Sequence, residues 1–307
     1  MRLNLVGPFV VNAPFGTEIA FAKGLRRAGH IVFEIDPNIL GDSDRLDPDA
    51  DATVVFKSCV GREAEIIGGL KHPVVTYQPD DARFAHIREM MLMMRRYSDL
   101  FLSFDDYGAD LAKTMGYRAA ETLLLTADDE LYCPSPEPVE RDIDISFIGS
   151  LGDPVAHASR RRMLEVAKEL ADQNGWKTAF GTTQDMLTIL AVYRRSKVVL
   201  NHATDVGQPF GSGFGLQCRH FEVSMTRTCL LSNVAHGKTW SPAFTTEAGL
   251  RHSLISLLTG EDGDLSSEHF GKPLWQKWAE INYQWVQNNR PEHRAQQLAD
   301  FIVRNKK

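Results

Sequence analysis

The sequence lacks the patterns that mark several common classes of protein. Its four cysteines include no CxxC pair and no Cys/His cluster with zinc-like spacing. No apolar run approaches the roughly 20 residues of a membrane span, and the HExxH, nucleophile-elbow and Walker motifs are missing. These absences argue against a zinc site of that kind, a membrane span, and the enzyme classes that carry those motifs.

An excess of positive charge is also missing. The formal net charge is −6 at pH 7, so no general basic field is present to hold a polyanion. This balance argues weakly against nucleic acid as the main partner. The pairs Arg26-Arg27 and Arg95-Arg96 still allow a local basic patch, for which salt-dependent DNA binding is the check.

The N-terminus does not have the pattern of a signal peptide. The run MRLNLVGPFVV has one charge and is followed at once by Asn12 and Pro14, which fits a first strand better. Cys59 and Cys229 lie in apolar runs, as small core residues do, which fits a reducing compartment. We therefore expect a cytoplasmic protein without a membrane span.

Short apolar runs alternate with amphipathic, helix-length stretches along both halves of the chain. Strands separated by helices predict βαβ units and a parallel sheet. The expected strands are 3–7, 30–36, 53–57, 73–77, 99–104 and 121–125, then 144–150, 176–181, 197–201 and 228–232. At 307 residues, two domains are the default expectation.

A proline-rich segment separates the two halves. Cys133–Asp142 contains three prolines among acidic residues, which predicts an extended linker. We predict the α/β class, with two Rossmann-like domains facing each other across a cleft and the C-terminal helices packing back. The predicted boundaries are 1–135 for the first domain, 141–285 for the second, and 286–307 for a closing helix that returns toward the first.

The first candidate site follows the strand at 144–150. Gly149 and Ser150 end this strand, and a helix carrying Arg160, Arg161 and Arg162 comes next. A strand–glycine–helix junction exposes backbone N–H groups and a helix N-terminus, which favour a phosphate. The alternative is a tight turn with the arginines on a solvated face. Because the arginine cluster is only a short loop away, it strengthens the interpretation that this turn binds a phosphate.

Matching candidates occur in the first half. Gly16, just before a helix, would let backbone approach a ligand, although the macrodipole alone explains Glu18 at the helix start. Asp80 and Asp81 lie just past a strand, where ligands bind in open α/β sheets and where a carboxylate can act as a base. Turn formation and helix capping are the alternative roles for both aspartates.

Arg219 and Glu222 form the last candidate site. They lie three residues apart on a predicted helix, between the glycine-rich run 207–213 and the apolar run 228–232. A surface pair of this kind would contribute only about 0.2–0.5 kcal/mol. A functional role is the stronger reason for the pair, because a carboxylate can accept both hydroxyls of a ribose and an arginine can meet a phosphate bidentately. The glycine-rich run would then be a pliable loop over the ligand.

The order and spacing of these segments resemble those of GT-B-fold glycosyltransferases. The resemblance is to the CgeB-type branch, whose C-terminal domain is similar to that of the glycosyl transferases group 1. It rests on DISFIGS with its arginine-bearing helix, on YRRSKVVLNHA and on GLQCRHFEVSMTRTCLLSN. It is specific over 144–233 and looser over 1–130. It implies that the second domain binds a nucleotide-sugar donor and that the first binds the acceptor.

The resemblance also implies roles for particular residues. The implied donor-binding residues are Gly149, Ser150, Arg160, Asn201, His202, Gly215, Arg219 and Glu222. The implied acceptor-side residues are Gly16, Thr17 and Gln78. Asp80 or Asp81 would deprotonate the acceptor hydroxyl in an inverting enzyme and position the acceptor in a retaining one. The co-substrate would be a UDP-, dTDP- or GDP-sugar, with no bound cofactor and no metal, because arginines and helix N-termini neutralise the leaving diphosphate.

The chain departs from the family pattern at two positions. Phe214 stands where many retaining relatives have a second carboxylate, and Arg227 stands where a glycine is usual. Stereochemistry, donor sugar and acceptor therefore stay open, the acceptor being a glycan, a small molecule, a protein or a modified nucleic-acid base. Two alternatives are an isomerase similar to the sugar-nucleotide epimerases and a non-catalytic nucleotide-sugar-binding or scaffold protein.

Overall fold

The computed structural model describes residues 1–10, 16–39, 45–57, 62–151, 157–183, 185–203, 215–234, 241–260 and 273–305. The chain divides into two compact units, residues 1–128 with 289–307 and residues 129–288. The run 207–213, predicted to cover a ligand, and Phe214 lie outside the described residues. Within the described ranges, no helix is both long and apolar enough to cross a membrane.

The first unit is built on a six-stranded parallel sheet. Its strands are β1 (Arg2–Val6), β2 (Ile31–Ile35), β3 (Ala52–Phe56), β4 (Val74–Gln78), β5 (Leu100–Ser103) and β6 (Ala120–Thr122). Their order in the sheet is β2-β1-β3-β4-β5-β6. Every residue of β3, β4 and β5 is buried, as expected for central strands with both faces covered.

The described residues of the first unit also form five helices. They are α1 (Thr17–Arg27), α2 (Arg62–Gly68), α3 (Ala85–Met94), α4 (Asp106–Thr114) and α10 (Pro291–Asn305). Helix α10 packs against α1, and Gly24 permits their close approach because a Cβ there would lie 2.4 Å from the Pro291 carbonyl oxygen. Arg27 and Glu292 add an ion pair between the same two helices.

The second unit contains a four-stranded parallel sheet. Its strands are β7 (Ile143–Ile148), β8 (Thr178–Gly181), β9 (Ser196–Asn201) and β10 (Cys229–Ser232), in the order β10-β9-β7-β8. Its helices are α5 (Ala158–Asn174), α6 (Met186–Arg195), α7 (Cys218–Met225), α8 (Glu247–Thr259) and α9 (Leu274–Gln287). Apolar side chains of β7 and β9, such as Phe147 and Leu200, join α5 and α8 in one core.

All ten predicted strands are present within the described residues, with ends shifted by a few positions at most. Helices follow most of these strands, as the predicted alternation of strands with helix-length stretches requires. The units divide between residues 128 and 129 and between residues 288 and 289. The sequence had predicted these boundaries at residues 135–141 and between residues 285 and 286. Tyr132 and Cys133, at the predicted boundary, belong to the second unit, where the Cys133 carbonyl accepts hydrogen bonds from Arg194 of α6 at 2.8 and 3.2 Å.

Candidate functional site

The second sheet has a topological switch point between β7 and β9. The chain moves from β7 outward to β8 on one side, and from β9 outward to β10 on the other. Ligands of open α/β sheets bind in the crevice beyond the carboxyl ends of the strands at such a point. In this unit those ends are Ile148–Ser150 and Asn201–Ala203.

Arg219 lies at this switch point and holds the two strand ends together. Its Nη2 donates to the Ile148 carbonyl at 2.5 Å, and its Nη1 donates to Asn201 Oδ1 at 2.9 Å. Its Nε donates to the Tyr193 hydroxyl at 3.4 Å. Three of the five guanidinium donors are therefore used within the protein, and Arg219 acts first as a positioning residue for the turn after β7.

Gly149 permits this placement of Arg219. A Cβ at residue 149 would lie 2.7 Å from Arg219 Nη2 and 2.9 Å from Phe147 Cζ. Both distances are shorter than real Cβ contacts, so any other residue would displace the guanidinium or the ring. The glycine is thus required by close packing against a side chain, while its own backbone N–H donates to the Gly181 carbonyl at 3.0 Å.

A buried chain of hydrogen bonds fixes α7 relative to the strand ends. Asn201 Nδ2 donates to Ser232 Oγ at 3.1 Å, and the same oxygen lies 3.1 Å from His220 Nε2. His220 Nδ1 accepts from the backbone N–H of Gln217, the residue that caps α7. His220 and Asn201 are therefore structural, while Gly215, with φ +70°, precedes the helix.

Arg160 is a buried cation on the same ring as Arg219. Its Nη1 donates to the Ser150 carbonyl at 2.6 Å and its Nη2 donates to the His202 carbonyl at 3.0 Å. The two guanidinium carbons lie 5.6 Å and 5.0 Å from the centre of the Phe147 ring. Among the residues that the structure describes, no carboxylate pairs with Arg160, and its Nε has no hydrogen-bond partner.

The charge state of Arg160 reflects this arrangement. Burial, followed by the nearby positive charge of Arg219, lowers the pKa of Arg160 to about 10. The side chain stays charged at neutral pH, with a like charge beside it and, among the described residues, no acid to balance it. A buried cation of this kind is costly unless an anion compensates it, so the pair of arginines favours an anionic ligand.

The other two arginines of the cluster do different work. Arg161 Nη1 donates to the Leu151 carbonyl at 2.6 Å. Arg162 lies on the surface in a network with Glu165 and Glu247. Ser150 is exposed at the strand end. Arg160 therefore bonds to both strand ends at the switch point.

His202 is the least satisfied polar side chain of this cluster. It is 1% exposed, and neither ring nitrogen has a hydrogen-bond partner among the described residues. Burial, and then the charge of Arg160, lower the pKa of His202 to about 4. The ring is therefore neutral at physiological pH and offers one donor and one acceptor beside Arg160.

Glu222 is half-buried on α7, one turn after Arg219. Burial raises the pKa of the Glu222 carboxyl, while the charge of Arg219 and a hydrogen bond from the Tyr132 hydroxyl act in the opposite direction. The three Arg219 donors described above bond to other groups. Arg219 therefore acts on Glu222 through its charge. The carboxylate keeps hydrogen-bonding capacity for a ligand.

The residues beside Glu222 and Arg219 were missed by the sequence reasoning. Tyr132 and Tyr193 are each 2% exposed. Burial raises the pKa of Tyr193 to about 12, and burial together with the charge of Glu222 raises the pKa of Tyr132. Nothing in their local sequence marks them, because one lies beside the predicted linker and the other on a helix, and only the fold brings them to α7.

In the first unit, Asp81 is taken up by structural bonds. Its Oδ1 accepts from the backbone N–H and from Nη1 of Arg83, both at 2.9 Å. The same Nη1 reaches Asp105 at 2.8 Å, and Asp105 caps α4 through the Gly108 N–H. This is the turn and capping chemistry that the sequence offered as the alternative.

Asp80 and Gln78 are differently placed, at the carboxyl end of β4. The Asp80 backbone N–H donates to Gln78 Oε1 at 3.1 Å, and its carboxylate lies 3.4 Å from Lys57 Nζ. Lys57 follows β3 in the left-handed region, with φ +70°. Gln78 is 1% exposed, and within the described chain its Nε2 has no partner. These groups could orient a hydroxyl-bearing ligand.

Gly16, Thr17 and Glu18 form the start of α1. Gly16 is its N-cap, and the buried Glu18 carboxylate folds back over this glycine. Thr17 is also buried, at 7% exposure. The acidic side chain thus lies at the positive end of the helix, as the macrodipole favours. These contacts neither support nor contradict the prediction that Gly16 and Thr17 bind the acceptor, which stays a prediction.

The chain is similar over nearly its whole length to solved glycosyltransferase structures. An alpha-glucosyltransferase in complex with UDP matches with a TM-score of 0.64 and 12% identity, over 99% of this chain and 100% of that chain. An alpha-glucosyltransferase in complex with UDP-glucose and DNA containing an abasic site matches at 0.63 and 13%, over 99% of each. Anabaena HepE in complex with UDP and glucose matches at 0.56 and 14%, over 99% of each.

The chain has the GT-B fold. The predicted α/β class with parallel sheets is therefore confirmed, and so is the resemblance to GT-B proteins as a resemblance of fold. No family model and no curated protein matches the sequence. At these identities the similarity concerns architecture, and roles for individual residues rest on the geometry of this chain.

Within the GT-B fold, Arg227 stands outside the cluster around Arg219. It follows the end of α7 in the left-handed region, with φ +58°, which is where a helix often places a glycine. Its Nε donates to Glu280 Oε2 at 2.7 Å, and its guanidinium lies over the Tyr283 ring. The departure from the family pattern is therefore a matter of backbone conformation at the helix end.

A pair of substitutions tests the role of Arg227. Arg227→Gly should be more stable than Arg227→Ala by about 1 kcal/mol, because only glycine removes the left-handed strain. Both variants lose the ion pair, which at 53% exposure of the arginine is a minor contribution. Urea denaturation gives the stability difference, and nucleotide binding should be unchanged in both. Equal stability of the two variants would contradict a strained backbone at this position.

Asp142 and Asp144 have the D-x-D spacing of a metal-binding motif, but both carboxylates form structural ion pairs. Asp142 accepts two hydrogen bonds from Arg195, at 2.8 and 2.6 Å, which lower its pKa to about 2. Asp144 pairs with Lys197 at 2.6 Å. Both lie at the amino end of β7, whereas the arginine cluster lies at its carboxyl end. Over the described ranges, no three His, Cys, Asp or Glu side chains are grouped to hold a metal.

Proposed function

We propose that the protein is a glycosyltransferase that moves a sugar from a nucleoside-diphosphate sugar to an acceptor hydroxyl without a metal. The observation that carries the proposal is the pair of arginines on the Phe147 ring at the β7/β9 switch point. Arg160 is buried there without a carboxylate partner among the described residues. The GT-B fold supports the proposal, because solved proteins of that fold hold UDP and UDP-glucose.

The leaving diphosphate would lie beyond Gly149 and Ser150. The charge of Arg160 would stabilise the negative charge that develops as the sugar leaves, whereas the Gly149 N–H is already donated to the Gly181 carbonyl. Arg219 holds the turn in place through the Ile148 carbonyl, and its two remaining donors can add to the anion site. The neutral ring of His202 can donate to the same anion.

The ribose of the donor would meet Glu222. A carboxylate accepts hydrogen bonds only, and two adjacent hydroxyls of a ribose match its two oxygens. Arg219 lies one turn earlier on the same helix, so the ribose and diphosphate sites are joined by α7. We assign the donor to residues 141–285 and propose UDP first among the nucleotides, with dTDP and GDP as the other candidates.

The acceptor is assigned to the first unit, residues 1–128 with 289–307, because the end of the predicted range 1–135 and the start of the predicted range 286–307 belong to the second unit. Asp80 is a better candidate than Asp81 for contact with an acceptor hydroxyl, because Asp81 is occupied by Arg83. In the transfer, the acceptor oxygen bonds to the anomeric carbon while the bond from that carbon to the diphosphate oxygen breaks. An inverting enzyme would pass the hydroxyl proton to Asp80, and a retaining one would use Asp80 and Gln78 for positioning.

A donor screen tests this function. The protein is incubated with UDP-, dTDP- and GDP-sugars, EDTA and a mixture of glycans, small hydroxyl compounds, peptides and DNA with hydroxymethylated bases. The expected result is release of one nucleoside diphosphate and an acceptor whose mass increases by one sugar. Conversion of the donor to an isomer without acceptor would identify an isomerase, and binding without turnover would identify a non-catalytic protein. Absence of binding to every donor would refute the proposal.

A further inference from the structure

Lys57 has a strained backbone at a place where open α/β sheets bind ligands. The first sheet has the order β2-β1-β3, so its switch point lies between β1 and β3. Lys57 is the first residue after β3 and has φ +70°. Its backbone N–H donates to the Tyr77 carbonyl at 2.8 Å, which holds the residue beside β4.

The strain at Lys57 is not explained by the end of a helix. Among the described residues other than glycine, Arg227 alone shares the left-handed conformation, and it follows α7, where helices often end in this way. Lys57 follows a strand instead. Glycine would adopt the same backbone without strain, so the presence of lysine indicates that its side chain has a use.

The Lys57 ammonium group lies beside Asp80 but is not saturated by it. Nζ is 3.4 Å from Oδ2, whereas a direct charge-assisted hydrogen bond measures about 2.7–2.9 Å. The two side chains are 40% and 45% exposed, so the pair adds little to stability. The donors of the ammonium group and the acceptor sites of the carboxylate can therefore be used by a ligand.

Gln78 adds a buried donor to this pair. Its Oε1 accepts from the Asp80 backbone N–H at 3.1 Å, which fixes the amide with its NH2 group on the other side. Gln78 is 1% exposed, and within the described chain its Nε2 has no hydrogen-bond partner. A buried N–H group without an acceptor is costly, and an oxygen atom brought by a ligand would remove that cost.

The charges around this cluster disfavour an anionic ligand. Over the part of the chain that the structure describes, carboxylates outnumber cations at the carboxyl ends of β3, β4 and β5: Asp80, Asp81 and Asp105 against Lys57 and Arg83. A phosphate would meet net repulsion here. A hydroxyl group is uncharged and both donates and accepts hydrogen bonds. Two adjacent hydroxyls, as a sugar carries, can therefore use an ammonium group, a carboxylate and an amide NH2 group together.

We propose that Lys57 binds the acceptor together with Asp80 and Gln78, and that the acceptor is an uncharged polyol with two adjacent hydroxyls. One hydroxyl would donate to Asp80 and accept from Lys57, and its neighbour would accept from Gln78. The inference rests on the proposed function, because it takes the first unit as the acceptor side. It adds the chemical class of the acceptor and a cation that contacts it.

The experiment measures the binding of glucose, galactose and mannose by ligand-observed NMR. The protein is first saturated with UDP, or with dTDP or GDP if UDP does not bind. At least one sugar should bind the wild type, and the 6-phosphate of that sugar should bind more weakly. Lys57→Met keeps the strained backbone and loses the charge, so its affinity for the sugar should fall by about tenfold or more, the loss of one charge-assisted hydrogen bond.

Two glycine variants separate the side chain of Lys57 from its backbone. Lys57→Gly should lose as much sugar affinity as Lys57→Met and yet melt about 2 °C higher than the wild type, because the strain is relieved. Arg227→Gly is the matched control, since it also relieves left-handed strain and removes a cation paired with a carboxylate. It should bind sugar as the wild type does, and all three variants should keep the nucleotide affinity of the wild type.

The outcomes separate this inference from the proposed function. If the wild type binds no nucleoside diphosphate, the proposed function fails and the inference fails with it. If the nucleotide binds but none of the sugars does, or DNA with a hydroxymethylated base binds in their place, the nucleotide site stands and the polyol acceptor is overturned. If Lys57→Met binds the sugar as tightly as the wild type does, the role of Lys57 is overturned.

Discussion

Replacement of Glu222 by alanine is expected to weaken nucleoside-diphosphate binding about 100-fold, because two charge-assisted hydrogen bonds to the ribose are lost. The thermal stability of the variant should stay close to that of the wild type. Burial already raises the pKa of this carboxyl, which means that its ionised form is disfavoured in the folded protein. Calorimetric titration with UDP gives the affinity, and thermal unfolding gives the stability.

Two controls make this prediction specific. Glu165→Ala removes a carboxylate of 61% side-chain exposure from the second unit and should leave the affinity unchanged. 2′,3′-Dideoxyuridine 5′-diphosphate, which lacks both ribose hydroxyls, should bind the wild type and Glu222→Ala equally weakly. If Glu222→Ala binds UDP as the wild type does, the ribose site lies elsewhere.

Gly149→Ala is expected to lower stability by about 1–3 kcal/mol, the usual cost of overpacking, and to abolish measurable donor binding. The added Cβ would lie 2.7 Å from a guanidinium nitrogen of Arg219 and 2.9 Å from the Phe147 ring. Neither group can yield easily, since Arg219 holds Ile148 and Asn201 by hydrogen bonds. The turn that would receive the diphosphate must move instead.

Gly181→Ala is the matched control for this substitution. Gly181 pairs with Ile148 across the sheet, and its carbonyl accepts from the Gly149 N–H. A Cβ there would meet no atom within 4 Å, so both stability and binding should stay close to the wild type. Equal effects of the two substitutions would show that the backbone of the strand ends, and not the packing of Arg219, is what matters.

The architecture was predictable from the sequence because it depends on local patterns. Strands such as 53–57 and 197–201 are short apolar runs bounded by turns, and their alternation with helices leaves a parallel sheet as the simple solution. The turn at Gly149 was also predictable, because a glycine between a strand and a helix is typical of a tight turn. However, the requirement for glycine at position 149 comes from its close contact with Arg219, which lies on a helix distant in sequence.

Individual contacts could not be read from the sequence. Nothing local distinguishes Asp80 from Asp81, and the choice depends on Arg83 reaching both Asp81 and Asp105. Likewise, the spacing of Arg219 and Glu222 suggested two ligand contacts, one with a phosphate and one with a ribose. The structure gives Arg219 three protein partners and brings the buried Tyr132 close enough to Glu222 for each to influence the pKa of the other. Such assignments depend on long-range packing, which a single sequence does not record.

The arginines at the β7/β9 switch point are proposed to bind a diphosphate, and the proposed function depends most directly on this contact. The most direct measurement compares UDP and uridine by calorimetry in EDTA, for the wild type and Arg160→Met. We expect UDP to bind the wild type at least about 100-fold more tightly than uridine, since contacts between arginine and phosphate are charge-assisted. Arg160→Met should lose most of that difference and remain folded, because it removes a buried charge that has no acid partner among the described residues. Equal binding of UDP and uridine by the wild type, or an unchanged preference in Arg160→Met, would contradict this claim.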